Sequence, residues 1–152
     1  MPGNDHETLQ VLIEVHELRL KPQYQAGIAL LMSGSESPTE KANQMARSKT
    51  PQDYAAVRIM IGTWENIATH VQGFGPEQKQ QLFKCNPILL MWKILEKAVG
   101  TIRQEGADPF IHKSTPNFAE RFERLAAEYD QWRRTSAEYT TEESLAIRAM
   151  FG

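Results

Sequence analysis

Asn86-Pro-Ile-Leu-Leu-Met-Trp-Lys-Ile-Leu-Glu-Lys-Ala-Val-Gly-Thr-Ile-Arg-Gln-Glu-Gly106 is the stretch on which the fold turns. Asparagine caps a helix through its side-chain oxygen, and proline suits the first helical position because its missing N–H is not needed there. Gly106 supplies a left-handed stop. Between them Ile88, Met91/Trp92, Leu95, Val99 and Ile102 recur at spacings of three and four, and Leu89, Leu90 and Ile94 widen the stripe. A helix apolar on nearly every side is buried on several sides. The stretch therefore predicts a central helix over 87–105, with the other helices packed about it.

The flanking sequence supplies those helices. A first helix is expected from Asp5 to Leu20, with Leu9, Leu12/Ile13, His16 and Leu20 at helical spacing and Val11, Val15 and Leu18 widening the stripe. It is the most acidic segment, carrying Glu7, Glu14 and Glu17 before its first basic residue, Arg19. Pro22 either kinks it or opens a second helix to Met32. The Ser/Gly/Pro-rich run 33–39 is a loop. A polar surface helix, 38–47, follows with Met45 as its main apolar residue. Thr50-Pro51 opens a second core helix, on which Tyr54, Val57, Ile61, Trp64, Ala68 and Val71 keep helical spacing. Gly62 within it suggests a close helix crossing. A short helix, 76–85, turns Leu82 and Phe83 inward. From Asn117 the pattern is the cleanest in the chain: Phe118, Phe122, Leu125, Tyr129 and Trp132. Thr140-Thr-Glu-Glu143 fits a capping box ahead of a tail helix. No period-two segment and no hairpin dipeptide stands between apolar runs. The expected architecture is all-α, a single-domain bundle of about six helices. Its parts are a docked N-terminal arm (1–47), a core (51–137) and a short C-terminal helix (140–152).

Length and charge narrow the function. With 152 residues, 41% hydrophobic and 24% charged, the chain can bury one real core. A net charge of −2 and a pI near 6.1 argue against a non-specific binder of phosphate backbones. One cysteine, Cys85, permits no internal disulfide. The longest uninterrupted apolar run, Ile88–Trp92, falls far short of the roughly 20 residues that span a bilayer. The first residues, Met1 to Glu7, lack the basic and apolar regions of a secretory signal. A cytoplasmic protein is expected, with no membrane, cofactor or metal involved.

Candidate chemistry is sparse. His6, His16, His70 and His112 show no close metal-ligand spacing. His70, Cys85 and His112 could meet near helix ends as a zinc site or a Cys–His nucleophile; the simpler reading is a buried inert thiol beside surface histidines. Glu65, next to Trp64, is the acid most prone to burial. It is either a general acid or base or the structural partner of Arg103, Arg121 or Arg124, and the structural pair is favoured. Gly73-Phe-Gly-Pro76 and Gly106-Ala-Asp-Pro109 are turns, since neither follows a strand. Arg133-Arg134 and Lys41/Arg47/Lys49 read as solvated helix ends. Two stretches could meet a partner: the acidic first helix (Glu7, Glu14, Glu17) and the apolar tail (Leu145, Ile147, Met150, Phe151).

Trp64-Glu65, then Trp92 on the following long helix, then Asn117-Phe118 with Phe122-Glu123-Arg124-Leu125, carry a resemblance. Residues 51–134 are similar to a helical domain of unknown function found in short bacterial and prophage proteins. That family reads Asn-Phe-Tyr/Trp-Glu on one helix and Asn-Phe-Glu-x-Leu in its closing segment. Here Ile61-Gly62-Thr63 stands where the family's asparagine would be, and the closing segment is split. The resemblance implies a helical accessory protein of bacteria or their mobile elements.

Taken together, these readings predict a non-catalytic protein that binds another protein or itself, of the inhibitor, adaptor or immunity type. The competing readings are a ligand-binding or enzymatic bundle using Glu65 with an arginine, and a nucleic-acid regulator using Arg133 and Arg134.

Overall fold

A computed structural model of the chain describes residues 5–48, 50–104 and 117–135, and Ala149. Seven helices run through the described residues: α1 Asp5–Arg19, α2 Pro22–Met32, α3 Pro38–Arg47, α4 Pro51–His70, α5 Pro76–Cys85, α6 Ile88–Gln104 and α7 Glu120–Thr135. The class is all-α. The expected stop at Gly106, the loop to Pro116 and the capping box with its tail helix lie outside the described residues.

Proline sets most helix starts. Pro22, Pro38, Pro51 and Pro76 each stand in the first turn of their helices, where the missing N–H removes nothing. Pro22 thus opens a second helix instead of kinking one, and Lys21 sits extended before it. Ser37 caps α3 by accepting from the Glu40 N–H at 3.2 Å. Thr50 holds the cap position of α4 without a side-chain hydrogen bond.

α6 is buried along most of its length, as expected of the central helix, and α4 shares the centre with it. α4 packs against α1, α2, α3 and α7 and touches α6 more lightly. Val57, Met60, Ile61, Trp64 and Ile67 are wholly enclosed on α4. The helix that lies most extensively along α6 is α3, the one expected to be a polar surface helix. Its Ala42, Asn43, Met45 and Ala46 are all buried. Alanines let two helices approach closely where larger side chains would hold them apart. At the edges of this contact Thr101 donates to Asn43 Oδ1 and Lys97 pairs with Glu40. A stripe of small residues carries little hydrophobic signal, so sequence pattern undervalues such a helix.

Two glycines exchange the roles assigned to them. A Cβ on Gly62 would meet nothing within 4 Å, and Gly62 is exposed, so no close crossing occurs there. The close crossing is at Gly27 of α2, where a Cβ would come to 2.9 Å from Met60 Cγ and Sδ of α4.

Asn86 does not cap α6. Its Nδ2 donates to the Leu82 carbonyl at the end of α5, while its Oδ1 accepts from Arg19 Nη1 at 2.8 Å. The Arg19 guanidinium also lies 5.5 Å from the Trp64 ring centroid. The corner between α1 and α2 is thereby tied to the corner between α5 and α6. Along α1 and α5, Gln78 donates to Thr8 Oγ1 at 2.7 Å and accepts from the Gly75 N–H at 2.8 Å. The buried polar side chains Thr8, Asn43, Gln78 and Asn86 are therefore all hydrogen-bonded, as burial requires.

An aromatic spine joins the helices. Trp64 Nε1 donates to Tyr24 Oη at 3.0 Å, Trp64 stacks on Phe122 at 5.8 Å, and Trp92 meets Phe122 edge-on at 5.1 Å. Burial pushes the Tyr24 hydroxyl above its ordinary range, against the opposing hydrogen bond from Trp64 and the nearby Arg19 charge.

Candidate functional site

Glu65 is structural in its contacts. Its Oε1 accepts from the Phe122 backbone N–H at 2.8 Å, and its Oε2 lies 4.0 Å from Arg121 Nη1. A helix begins with N–H groups that have no intrahelical acceptor. Glu65 satisfies one of those of α7 from another helix and places a negative charge at the positive end of its dipole. The approach to α7 is strained: the helix begins at Glu120 rather than Asn117, and Ala119 sits at φ 61°. Left-handed backbone costs a residue with a Cβ about 1–2 kcal/mol; the cap from Glu65 helps to hold it.

The other expected partners of Glu65 are elsewhere. Arg103 donates through Nε to the Phe118 carbonyl at 2.8 Å and pairs with Glu123 at 3.2 Å, locking the end of α6 to the start of α7. Arg124 is not buried: its side chain is 69% exposed and pairs with Glu120 one turn back. Arg121 is therefore the arginine that reaches Glu65. The cleft beyond it is lined by Ala68, Val71, Gln72, Lys79, Arg121, Arg124, Leu125 and Glu128 and holds about 120 Å³. Neither Glu65 nor His70 belongs to that lining. A second, wider cleft of about 450 Å³ runs on between α5 and α7 past Phe74, Phe83 and Trp132. The Lys79–Glu128 pair, at 2.5 Å, belongs to both.

The cysteine–histidine idea is corrected in one part. Cys85 is exposed, not a buried thiol. His70 is exposed and bonds through Nδ1 to the Asn66 carbonyl of its own helix. His112 lies outside the described residues. Among the described residues no three His, Cys, Asp or Glu side chains cluster as metal ligands would.

The basic pairs are engaged within the protein. Arg133 and Arg134 both reach Asp130, at 2.5 Å and 3.3 Å. Partial burial raises the Asp130 carboxyl, but hydrogen bonds from Arg134 and Arg133 outweigh it and hold the group below the usual carboxylate range. Lys41 donates to the Leu30 and Ser33 carbonyls, closing the loop after α2. Lys49 lies outside the described residues.

The first helix differs most from expectation. Its core-facing side is Thr8, Val11, Leu12, Val15 and Leu18, with Val15 and Thr8 buried. Of the stripe expected to face inward, Val11, Leu12, Val15 and Leu18 do, while its other members do not. Leu9 is 55% exposed, Ile13 43% and Leu20 56%, and His16 between them is exposed too. α1 thus has two apolar faces, and sequence periodicity alone could not tell which one docks. Beside the outward face runs the acidic one, with Glu7 and Glu17 exposed and Glu14 partly so. The tail residues proposed with it, Leu145, Ile147, Met150 and Phe151, lie outside the described residues.

The chain matches no family model, no curated protein sequence and no solved structure. Among the described residues no helix is long and apolar enough to cross a membrane. What the fold defines is an all-α bundle that, among the described residues, leaves Leu9 and Ile13 of α1 and the adjoining Leu20 exposed.

Proposed function

We propose that this protein acts by binding another protein, without catalysis, through the outward face of α1. One observation carries the reading: Leu9 and Ile13 share one face of α1, Leu20 follows in the turn just beyond the helix, and all three stay exposed beside Glu14 and Glu17. Isolated apolar side chains on a surface are ordinary, but several on one side of a helix, rimmed by charge, are the composition of a contact surface. The same helix already buries another face in its own bundle, so the outward row is in excess of what folding needs. An inhibitor, adaptor or immunity role suits such a device. The family resemblance over residues 51–134 supports an origin in bacteria or their prophages, and the proposal places the protein in the cytoplasm with no cofactor.

The test is capture from a bacterial lysate with the full chain and with a Leu9→Glu/Ile13→Glu variant. Both sites are exposed, so the variant keeps the wild-type circular dichroism and melting temperature. A defined partner held by the wild type and lost by the variant supports the reading. A partner held equally by both would place the contact elsewhere on the molecule.

A further inference from the structure

We infer that the occupant of the α1 face is a basic amphipathic helix. This rests on the reading of that face as the docking surface and adds the chemistry of the partner. Positions 9, 13 and 16 of α1 are spaced four and three, which is the seam spacing of two helices packed side by side, and Leu20 extends the row into the turn beyond the helix. The helical part of the seam, from position 9 to 16, spans about 10 Å at 1.5 Å per residue, enough for about one heptad of a partner, and Leu20 lengthens it.

The two edges of that seam are unequal. One edge is closed: Leu12 and Arg19 turn toward the bundle, where Leu12 packs on the core and Arg19 bonds Asn86. The other edge carries Gln10, Glu14 and Glu17. Glu17 is exposed and makes no ion pair among the described residues, and Glu14 is met by Gln10 at 3.5 Å. A helix laid on Leu9, Ile13 and Leu20 therefore finds its charge specified along one edge, and specified as positive.

The same asymmetry disfavours a second copy. Paired antiparallel, two α1 helices bring acidic edge against acidic edge, and like charges across a contact are repulsive. Paired in parallel, the acidic edge of each must meet the edge that the other's own bundle covers. A helix with leucine or isoleucine on its seam and lysine or arginine along one flank meets neither obstacle.

The experiment titrates the full chain into two labelled synthetic helical peptides and reads fluorescence anisotropy. The peptides share a Leu/Ile seam and differ in flanks of lysine or glutamate. The lysine peptide is expected to bind about tenfold or more tightly than the glutamate peptide and to weaken with added salt. A Glu14→Lys/Glu17→Lys variant, with its fold checked by circular dichroism, is expected to reverse that preference. Equal binding of the two peptides, binding of neither, or an unchanged preference in the variant overturns the inference. So does a dimer in sedimentation equilibrium that Leu9→Glu/Ile13→Glu abolishes, because a second copy would then be the occupant. If lysate capture still depends on Leu9 and Ile13 while the peptides show no charge preference, the partner's chemistry is wrong and the docking face stands. If capture ignores Leu9 and Ile13, the docking face itself is wrong.

Discussion

Glu65 and Tyr24 show how single polar atoms hold this bundle together. Glu65 accepts the Phe122 N–H and faces Arg121. Glu65→Ala removes a charged acceptor from a helix start and should destabilise the fold by about 1–3 kcal/mol in urea titration. Glu65→Gln keeps an acceptor oxygen and should lose less. If the two variants are equally damaging, the charge at the helix end matters more than the hydrogen bond. Tyr24→Phe leaves the Trp64 indole N–H buried without its acceptor and should cost about 1–3 kcal/mol near neutral pH. Its pH dependence follows from the raised Tyr24 pKa. The unfolded phenol ionises near its ordinary value of 10.0, whereas the folded one stays neutral to higher pH. Stability from this group is therefore complete below pH 10 and is lost as pH climbs through the folded value. Wild type should lose stability above pH 10 more steeply than Tyr24→Phe, followed by Trp fluorescence.

Helix contacts turn on small residues as much as on large ones. Alanines and Asn43 seat α3 along α6, and Gly27 lets α2 approach Met60 of α4. Two glycine substitutions separate propensity from packing. Gly62→Ala has open space and should raise stability by about 0.5–1 kcal/mol through helix propensity and a less flexible unfolded chain. Gly27→Ala gains the same but must displace an enclosed Met60, so it should fall about 1–3 kcal/mol below Gly62→Ala. Thermal melts of the two decide the point; equal stabilities would mean that Met60 has room to move. On α1 the lesson concerns faces: the Val11/Val15/Leu18 side docks, and the Leu9/Ile13/Leu20 side stays outward.

Across the whole molecule, Trp64 sits where α4 meets its neighbours, bonded to Tyr24, covered by Arg19 and stacked on Phe122. Trp64→Ala should cost about 3–5 kcal/mol. Against a total of about 5–15 kcal/mol for an ordinary domain, that is a large share, visible as a strongly lowered melting temperature. Leu9→Glu/Ile13→Glu should do the opposite, leaving the melt unchanged while abolishing partner capture. That contrast separates residues that hold the fold together from residues that face outward for a contact.

The helical class, the proline-led starts and the enclosed positions of the long helices were legible in the residues themselves. They depend on local rules: proline lacks an N–H, and apolar spacing of three and four marks a buried stripe. The burial of α3, the crossing at Gly27 and the outward turn of Leu9 and Ile13 were not legible. Each depends on which neighbour occupies a given face, and periodicity carries no information about that. The candidate site divides the same way. Acidity along the first helix is written in its Glu residues, as is an apolar stripe at 9, 13, 16 and 20. That the two lie side by side on an uncovered face follows only once Val15 and Thr8 have been buried against the bundle, because a helix with two apolar faces can bury one and must expose the other.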